Sequence, residues 1–398
     1  MKVYRVGGSV RDELLGRSIA DRDYVVVGAT PQLMIEQGFK PVGREFPVFL
    51  HPQTREEYAL ARTERKRGRG HRGFSFHAAP EVTLEEDLAR RDLTINAIAR
   101  DADGTLIDPY GGASDLRRGV LRHVGPAFVE DPLRVLRLAR FAARFGFSVA
   151  DETEALLEAI AASGELATLS RERVWQELAK ALMEVQPSRF FIVLKRAGAL
   201  AQLLPEADAL FVGSSQDRVQ RTDRAVPATL RALDCASAAG DALAIRYAVL
   251  ASDLASPGVA HGGSTARNVR LATALNGRLK PPSECAALAL STARQRAHVD
   301  RARELPAAGL LDLLLALDAL RRPSRLEQVL AACAAHWSAL TGRVTTEYPP
   351  TAHLRAALDV VRKVNAGAIA ARTRRAELPK RLRATRLAAL RAWWTQTT

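Results

Sequence analysis

Asp21 and Asp23 stand two residues apart, just before the apolar run Tyr24-Val25-Val26-Val27. Alternate residues of a strand face the same way, so this spacing predicts two carboxylates on one face. Such a pair makes a poor core and a good seat for a hard divalent cation. Mg2+ commonly takes one or two carboxylates and completes its shell with substrate phosphate oxygens. Upstream, the glycine pair of Gly7-Gly8-Ser9-Val10-Arg11-Asp12 opens a predicted helix. Such a turn lets backbone N–H groups approach a phosphate, and Arg11 can add charge. A phosphate-binding turn followed by a metal-binding strand is the expectation.

Two further clusters put charge where structure alone would not want it. In Arg90-Arg91-Asp92-Leu93-Thr94-Ile95-Asn96-Ala97-Ile98-Ala99, the apolar positions Leu93, Ala97 and Ile98 suit one helix face. Arg90, Arg91 and Asp92 then fall at the helix start, where cations oppose the dipole unless an anion binds. A surface ion pair of Arg91 with Asp92 is the plainer alternative. In Glu130-Asp131-Pro132-Leu133-Arg134, Asp131 and Pro132 read as a helix start. Arg134, Arg137, Arg140 and Arg144 then share one arc, and the only acids near them in sequence are Glu130 and Asp131. Four arginines so placed repel one another unless they meet carboxylates or an anion. The stripe is a candidate nucleotide site, with Asp131 accepting from an exocyclic amine and Arg134 donating to base acceptors. The triphosphate would lie on Arg137 and Arg140. A basic, solvent-facing helix is the alternative. Asp108-Pro109-Tyr110-Gly111-Gly112 marks a tight turn.

These residues need a frame. The first 125 or so residues mix short strand candidates (3–6, 23–27, 47–51, 57–61 and 106–107) with helices. The stretch 62–80 is basic and glycine-punctuated, and is expected to be a loop that orders on an anionic ligand. From Pro132 onward the chain is rich in Ala, Leu and Arg and reads as helix throughout. The fold class expected is therefore an α+β head, a mixed sheet with helices, followed by an all-α body. The chain has 398 residues, room for several cores, and a formal net charge of +14, which suits a phosphate-bearing partner. Its three cysteines are widely spaced and form no CxxC unit, so neither a zinc site nor a disulfide framework is indicated. No run approaches the length of a membrane span and the start lacks a signal-peptide pattern, so a cytoplasmic location is expected.

The ordered set Gly7-Gly8-x-x-Arg11, Asp21-x-Asp23, Arg90 to Ala97, Asp108 to Gly112 and Glu130-Asp131-x-x-Arg134 resembles the bacterial class II tRNA nucleotidyltransferases. These are the CCA-adding enzymes of the polymerase-β-like superfamily. The likeness runs from residue 1 to about 185 and includes Leu169 to Glu177, similar to that family's neck segment. It implies a polymerase-β-like catalytic head (1–125), a helical neck with the base-recognition helix (126–190), a helical body (191–340) and a basic helical tail near tRNA (341–398). It implies addition of the 3′-terminal CCA of tRNA from CTP and ATP with Mg2+, by a monomer. Asp21 and Asp23 would hold the metal, with Glu57 as third carboxylate. Gly8, Arg11, Arg91, Arg137 and Arg140 would contact the nucleotide, and Asp131 and Arg134 would read its base. The basic stretch at 62–80 would govern the change from C to A addition.

Two departures matter. A related bacterial poly(A) polymerase would share the head motifs but typically carry a second basic residue after Gly43-Arg44, where this chain has Glu45. The family often carries a His-Asp phosphohydrolase domain in its body. Here Ser252 precedes Asp253 in place of the histidine, with only His261 and His298 noted nearby, so a metal-free, degenerate domain without hydrolase activity is expected. A catalytically silent RNA-binding protein is the remaining reading, against which the intact Asp21/Asp23 pair argues.

Overall fold

The computed structural model describes residues 1–19, 21–42, 48–66, 74–211, 226–255 and 264–397. Glu45, His261 and the tip of the basic stretch, 67–73, therefore lie outside the described residues. The chain divides into two compact units, Met1–Glu177 with Arg189–Leu203 and Leu178–Ser188 with Leu204–Thr398. This division cuts through the 126–190 segment read from the sequence and assigns residues 191–203 of the 191–340 segment to the first unit.

The first unit is built on a mixed sheet. Its strands are β1 (Lys2–Val6), β2 (Asp23–Val27), β3 (Lys40–Val42), β4 (Val48–Leu50), β5 (Glu57–Leu60), β8 (Ala99–Arg100) and β9 (Leu106–Ile107), in the order β3-β4-β5-β2-β1-β8-β9. β2 and β5 run parallel, with Asp23 opposite Glu57, and every other neighbouring pair is antiparallel. Both faces are covered, which suits the β-branched run in β2. Val25 packs with Tyr4, Val6 and Leu88 on one side, and Val26 with Met34, Phe49 and Leu60 on the other. Helices α1 (Gly8–Leu14) and α2 (Pro31–Glu36) connect the strands.

The basic stretch is more ordered than expected at its ends, since β6 (Thr63–Lys66) and β7 (Phe74–His77) pair as an antiparallel ribbon. The 90–99 stretch corrects a second expectation. The helix lies before it, as α3 (Leu84–Ala89), opened by a capping box of Thr83 and Glu86. Arg90 is thus its C-cap, where a cation complements the dipole. Residues 93–98 form a buried 3-10 turn (Thr94–Asn96) leading into β8. After α4 (Gly112–Arg118) and β10 (Val120–Leu121) comes α5 (Leu133–Phe145), which buries Val135, Leu136, Leu138, Ala139 and Phe141. The short strand β11 (Ser148–Val149) pairs with β10, an exception to the all-helical reading, before α6 (Asp151–Ala162) and α7 (Arg171–Leu182).

In the second unit every element from Pro205 to Thr397 among the described residues is helical. Ser252 ends the helix Leu243–Ser252, and Asp253 follows it. Asp253 meets Arg296 Nη1 at 2.8 Å and accepts from the Asn268 amide at 3.3 Å. His336, which the sequence reading passed over, is buried beside them, with Nε2 3.1 Å from the Val249 carbonyl and 3.3 Å from Ser252 Oγ. His298 is exposed. Near the C-terminus the half-buried Trp393 and Trp394 both lie against the His353 ring. No helix among the described residues is long and apolar enough to cross a membrane.

Candidate active site

One end of the sheet collects the chemistry. β1 ends at Val6, β2 and β5 begin at Asp23 and Glu57, and the three residues are register partners across neighbouring strands. The chain leaves β1 through Gly7, whose φ of +67° favours glycine. A β-carbon there would lie 2.7 Å from Arg91 Nη1, so Gly7 also makes room for that guanidinium. Asp21 precedes β2 and is exposed, so the strand alone does not align the two aspartates. They nonetheless sense one another. Burial pushes the Asp23 carboxyl up, Arg91 opposes this, and the charge of Asp21 adds to it. Both aspartates and Glu57 line a recess of about 530 Å³.

Asp23 and Glu57 also border a larger cleft of about 640 Å³, with Gly7, Gly8 and α5 around it. Seven arginines and four acids line it among the described residues, so its field favours a polyanion. Of the residues predicted from sequence, Gly8, Arg11, Asp23, Glu57, Arg91, Asp131, Arg134 and Arg137 come together here. Asp21 lies on the neighbouring recess alone. Arg140 is not on the cleft: it is buried, with Nε 2.7 Å from Glu177.

Three arginines of the α5 stripe meet acids far away in sequence, the first of the two ways open to relieve their repulsion. Arg137 reaches Asp92 at 2.7 Å, Arg140 reaches Glu177, and Arg144 reaches Asp12 at 3.1 Å. The pairing of Arg91 with Asp92 does not form; Arg91 meets Asp87 at 3.2 Å instead. Burial alone would push the Asp92 carboxyl up. Arg137 and the Asn96 amide overcome this and hold it down, to about 2. Asp87 is fully buried and takes both Arg90 and Arg91. Arg11 is buried too, with Nε donating to Asp12 at 2.9 Å and Nη1 to Asn96 at 2.5 Å. Arg11 and Asp12 thus couple α1 to the 3-10 turn and, through Arg144, to α5.

At the mouth of α5, Asp131 Oδ1 accepts from the Leu133 N–H at 3.0 Å. Arg134 donates to the carbonyls of Ala127 at 2.9 Å and Arg90 at 2.6 Å. A fixed acceptor and a fixed donor three residues apart can address adjacent polar atoms on a base edge. Sequence reasoning missed Asp87 and Arg173 as site residues. Asp87 lies inside α3, in a stretch where no site was read, and Arg173 lay in a neck segment without an assigned role.

Among the described residues no three His, Cys, Asp or Glu side chains converge to hold a metal. The donor set of Asp21 and Asp23 still fits Mg2+. It is all oxygen and like-charged, and it leaves coordination positions for a phosphate-bearing substrate.

A mixed sheet that presents carboxylates beside a glycine turn, facing an arginine-lined cleft, is the arrangement of a nucleotidyltransferase of the polymerase-β-like superfamily. Residues 3–122 match the family model for the Poly A polymerase head domain, and residues 146–211 that for the probable RNA and SrmB-binding site of polymerase A. The multifunctional CCA protein of Laribacter hongkongensis is 52% identical over 400 residues, covering 98% of both chains. That of Chromobacterium violaceum is 53% identical over 378 residues, covering 93% of each. The Bacillus stearothermophilus CCA-adding enzyme, solved in complex with CTP, superposes with a TM-score of 0.68 at 26% identity, over 98% of this chain and 89% of that one. The chain belongs to the bacterial CCA-adding enzymes.

Proposed function

We propose that this protein builds and repairs the 3′-terminal CCA of tRNA, transferring nucleotides from CTP and ATP to the tRNA 3′-hydroxyl and releasing pyrophosphate. The observation that carries this is the meeting of Asp23, Glu57, Gly8, Asp131 and Arg134 on one arginine-lined cleft, in a chain aligned end to end with CCA proteins. Asp21 and Asp23 are the proposed metal ligands, with Glu57 beside them as third carboxylate. Mg2+ held there would activate the attacking hydroxyl and screen the triphosphate. Gly8, Arg91 and Arg137 line the path of the phosphates, and Arg11 supports that wall from within. Arg140 acts from behind, through α5.

Asp131 and Arg134 are the proposed base readers. Cytosine and adenine each present an amine donor beside a ring-nitrogen acceptor, which suits a carboxylate beside a guanidinium. Uracil and guanine present a carbonyl where Asp131 needs a donor, leaving buried polar groups unpaired. The head, neck, body and tail would divide the work into catalysis, base reading, scaffold and tRNA contact, in a cytoplasmic monomer. Hydrolase activity is not proposed for the body, because the Arg296 guanidinium lies directly against Asp253.

The decisive assay supplies a tRNA lacking its 3′ end together with CTP, ATP and Mg2+. The protein should add three residues and stop, and Asp23→Ala should add none. A long A tail would point to the polymerase alternative, and no addition by the intact protein would end this reading. Asp131→Ala should keep some transfer but accept UTP and GTP alongside CTP and ATP.

A further inference from the structure

One member of the base-reading pair, Asp131, is held from α7. Asp131 has two supports. The Leu133 N–H fixes Oδ1 at 3.0 Å, and Arg173 Nη2 reaches Oδ2 at 3.2 Å and Oδ1 at 3.5 Å. Arg173 lies near the start of α7 and also lines the cleft. Four residues further along the same helix face, Glu177 holds Arg140 at 2.7 Å. α7 therefore grips α5 and its leading turn twice, once by a cation on an acid and once by an acid on a cation. The opposite polarity of the two pairs leaves one register that satisfies both.

We propose that Arg173 is a positioning residue that sets base selectivity, by holding the Asp131 carboxylate in the orientation that reads the base. This rests on the base-reading role given to Asp131 above. An aspartate on a solvent-reached wall rotates about its terminal bond. Selectivity requires that it cannot, because a carboxylate free to turn aside relieves the oxygen–oxygen clash that rejects uracil and guanine. With one oxygen on a backbone N–H and the other on Arg173, the carboxylate plane is fixed before the nucleotide arrives, and its remaining lone pairs are left for the base amine. Arg134 is held likewise by two backbone carbonyls. Both halves of the reader are thus held by neighbouring groups, Asp131 by Arg173 and the Leu133 N–H and Arg134 by two carbonyls.

The test is single-nucleotide addition by the full chain to a tRNA lacking CCA, with CTP and UTP as separate substrates. Wild type is compared with Arg173→Ala, Arg173→Lys, Glu177→Gln and Asp131→Ala, with thermal unfolding followed for each. Arg173→Ala should lower the CTP-over-UTP ratio of kcat/KM by about tenfold or more, through a higher KM for CTP and measurable UTP addition, while kcat for CTP stays within about threefold. Arg173→Lys, which keeps the charge, should regain part of the ratio. Glu177→Gln loosens the same helix without touching Asp131 and should keep the ratio. A ratio within about twofold of wild type in Arg173→Ala overturns the proposal. So does an equal loss in Glu177→Gln, which would make helix docking the cause. If Asp131→Ala also keeps the ratio, the base-reading role itself fails; if only Arg173→Ala keeps it, the positioning role alone fails. Should Arg173→Ala not fold, Arg173→Gln is read in its place with the same expectation.

Discussion

Asp92 shows how a single buried acid can serve structure and site together. Its carboxylate accepts from the Leu93 N–H and the Asn96 amide, both at 2.9 Å, and from Arg137 Nε at 2.8 Å. Removing one partner of a buried pair leaves the other charge uncompensated, which typically costs about 3–5 kcal/mol. Arg137 remains half exposed to the cleft, so some of that cost should be relieved by solvent. Asp92→Ala is expected to lower stability by about 3 kcal/mol in urea titrations and to raise KM for CTP and ATP as Arg137 loses its anchor. An unchanged urea midpoint would show that the pair contributes nothing net. The sequence drew attention to Arg90-Arg91-Asp92 through a helix start that does not form there. The partners of these charges were not legible, because Asp87 pairs backward within α3 and Arg137 comes from 45 residues downstream.

At the scale of elements, β2 and β9 were read to their end residues, since β-branched and alternating patterns survive in short strands. The segment 93–98 was misread as helix because every residue in it is buried, and a fully buried stretch carries no period to tell one element from another. The helix Pro323–Thr341 was legible as helix, but the burial of His336 on it was not. Burial and the neighbouring Arg296 push that imidazole down, to about 3, while the unfolded chain titrates near the ordinary 6.5. Between those values the unfolded state binds more protons, so stability is fully present above about 6.5 and is lost as pH falls toward 3. The second unit should therefore lose urea resistance between pH 7 and about 5, ahead of the carboxylate range. Tryptophan fluorescence can follow this through Trp337, the next residue along. His336→Gln should flatten the slope, and a wild-type slope that is already flat would refute the assignment.

At the scale of the whole molecule, most cleft arginines are matched by acids, so the excess charge of +14 must be expressed elsewhere. Arg372, Arg374, Arg375, Lys380 and Arg381 are exposed near the C-terminus. The helix carrying the last of them is anchored by buried Leu390 and by the pair of Arg383 with Asp312. This describes a secured element with a basic outer face. Each phosphate contact releases counterions, so the affinity for tRNA should fall by about tenfold or more between 50 and 200 mM salt. Changing Arg374, Arg375, Lys380 and Arg381 together to Gln should reduce that salt slope and leave the CTP-over-UTP ratio intact. An unaltered slope would place the tRNA contact on other residues.

The register of β2 against β5 has a consequence for how errors in this chain are handled. Asp23 shares a face with Val25 and Val27, and Glu57 with Ala59, because side chains alternate. A slip of one residue would turn Asp23 toward the side of Met34 and Phe49 and expel Val26 from that core. Misplacing the proposed metal ligand Asp23 and breaking the core are therefore the same event. A misregistered copy would be an unstable protein, open to proteolysis, rather than a durable one that occupies tRNA without extending it. The sheet acts as an inspector of its own active site.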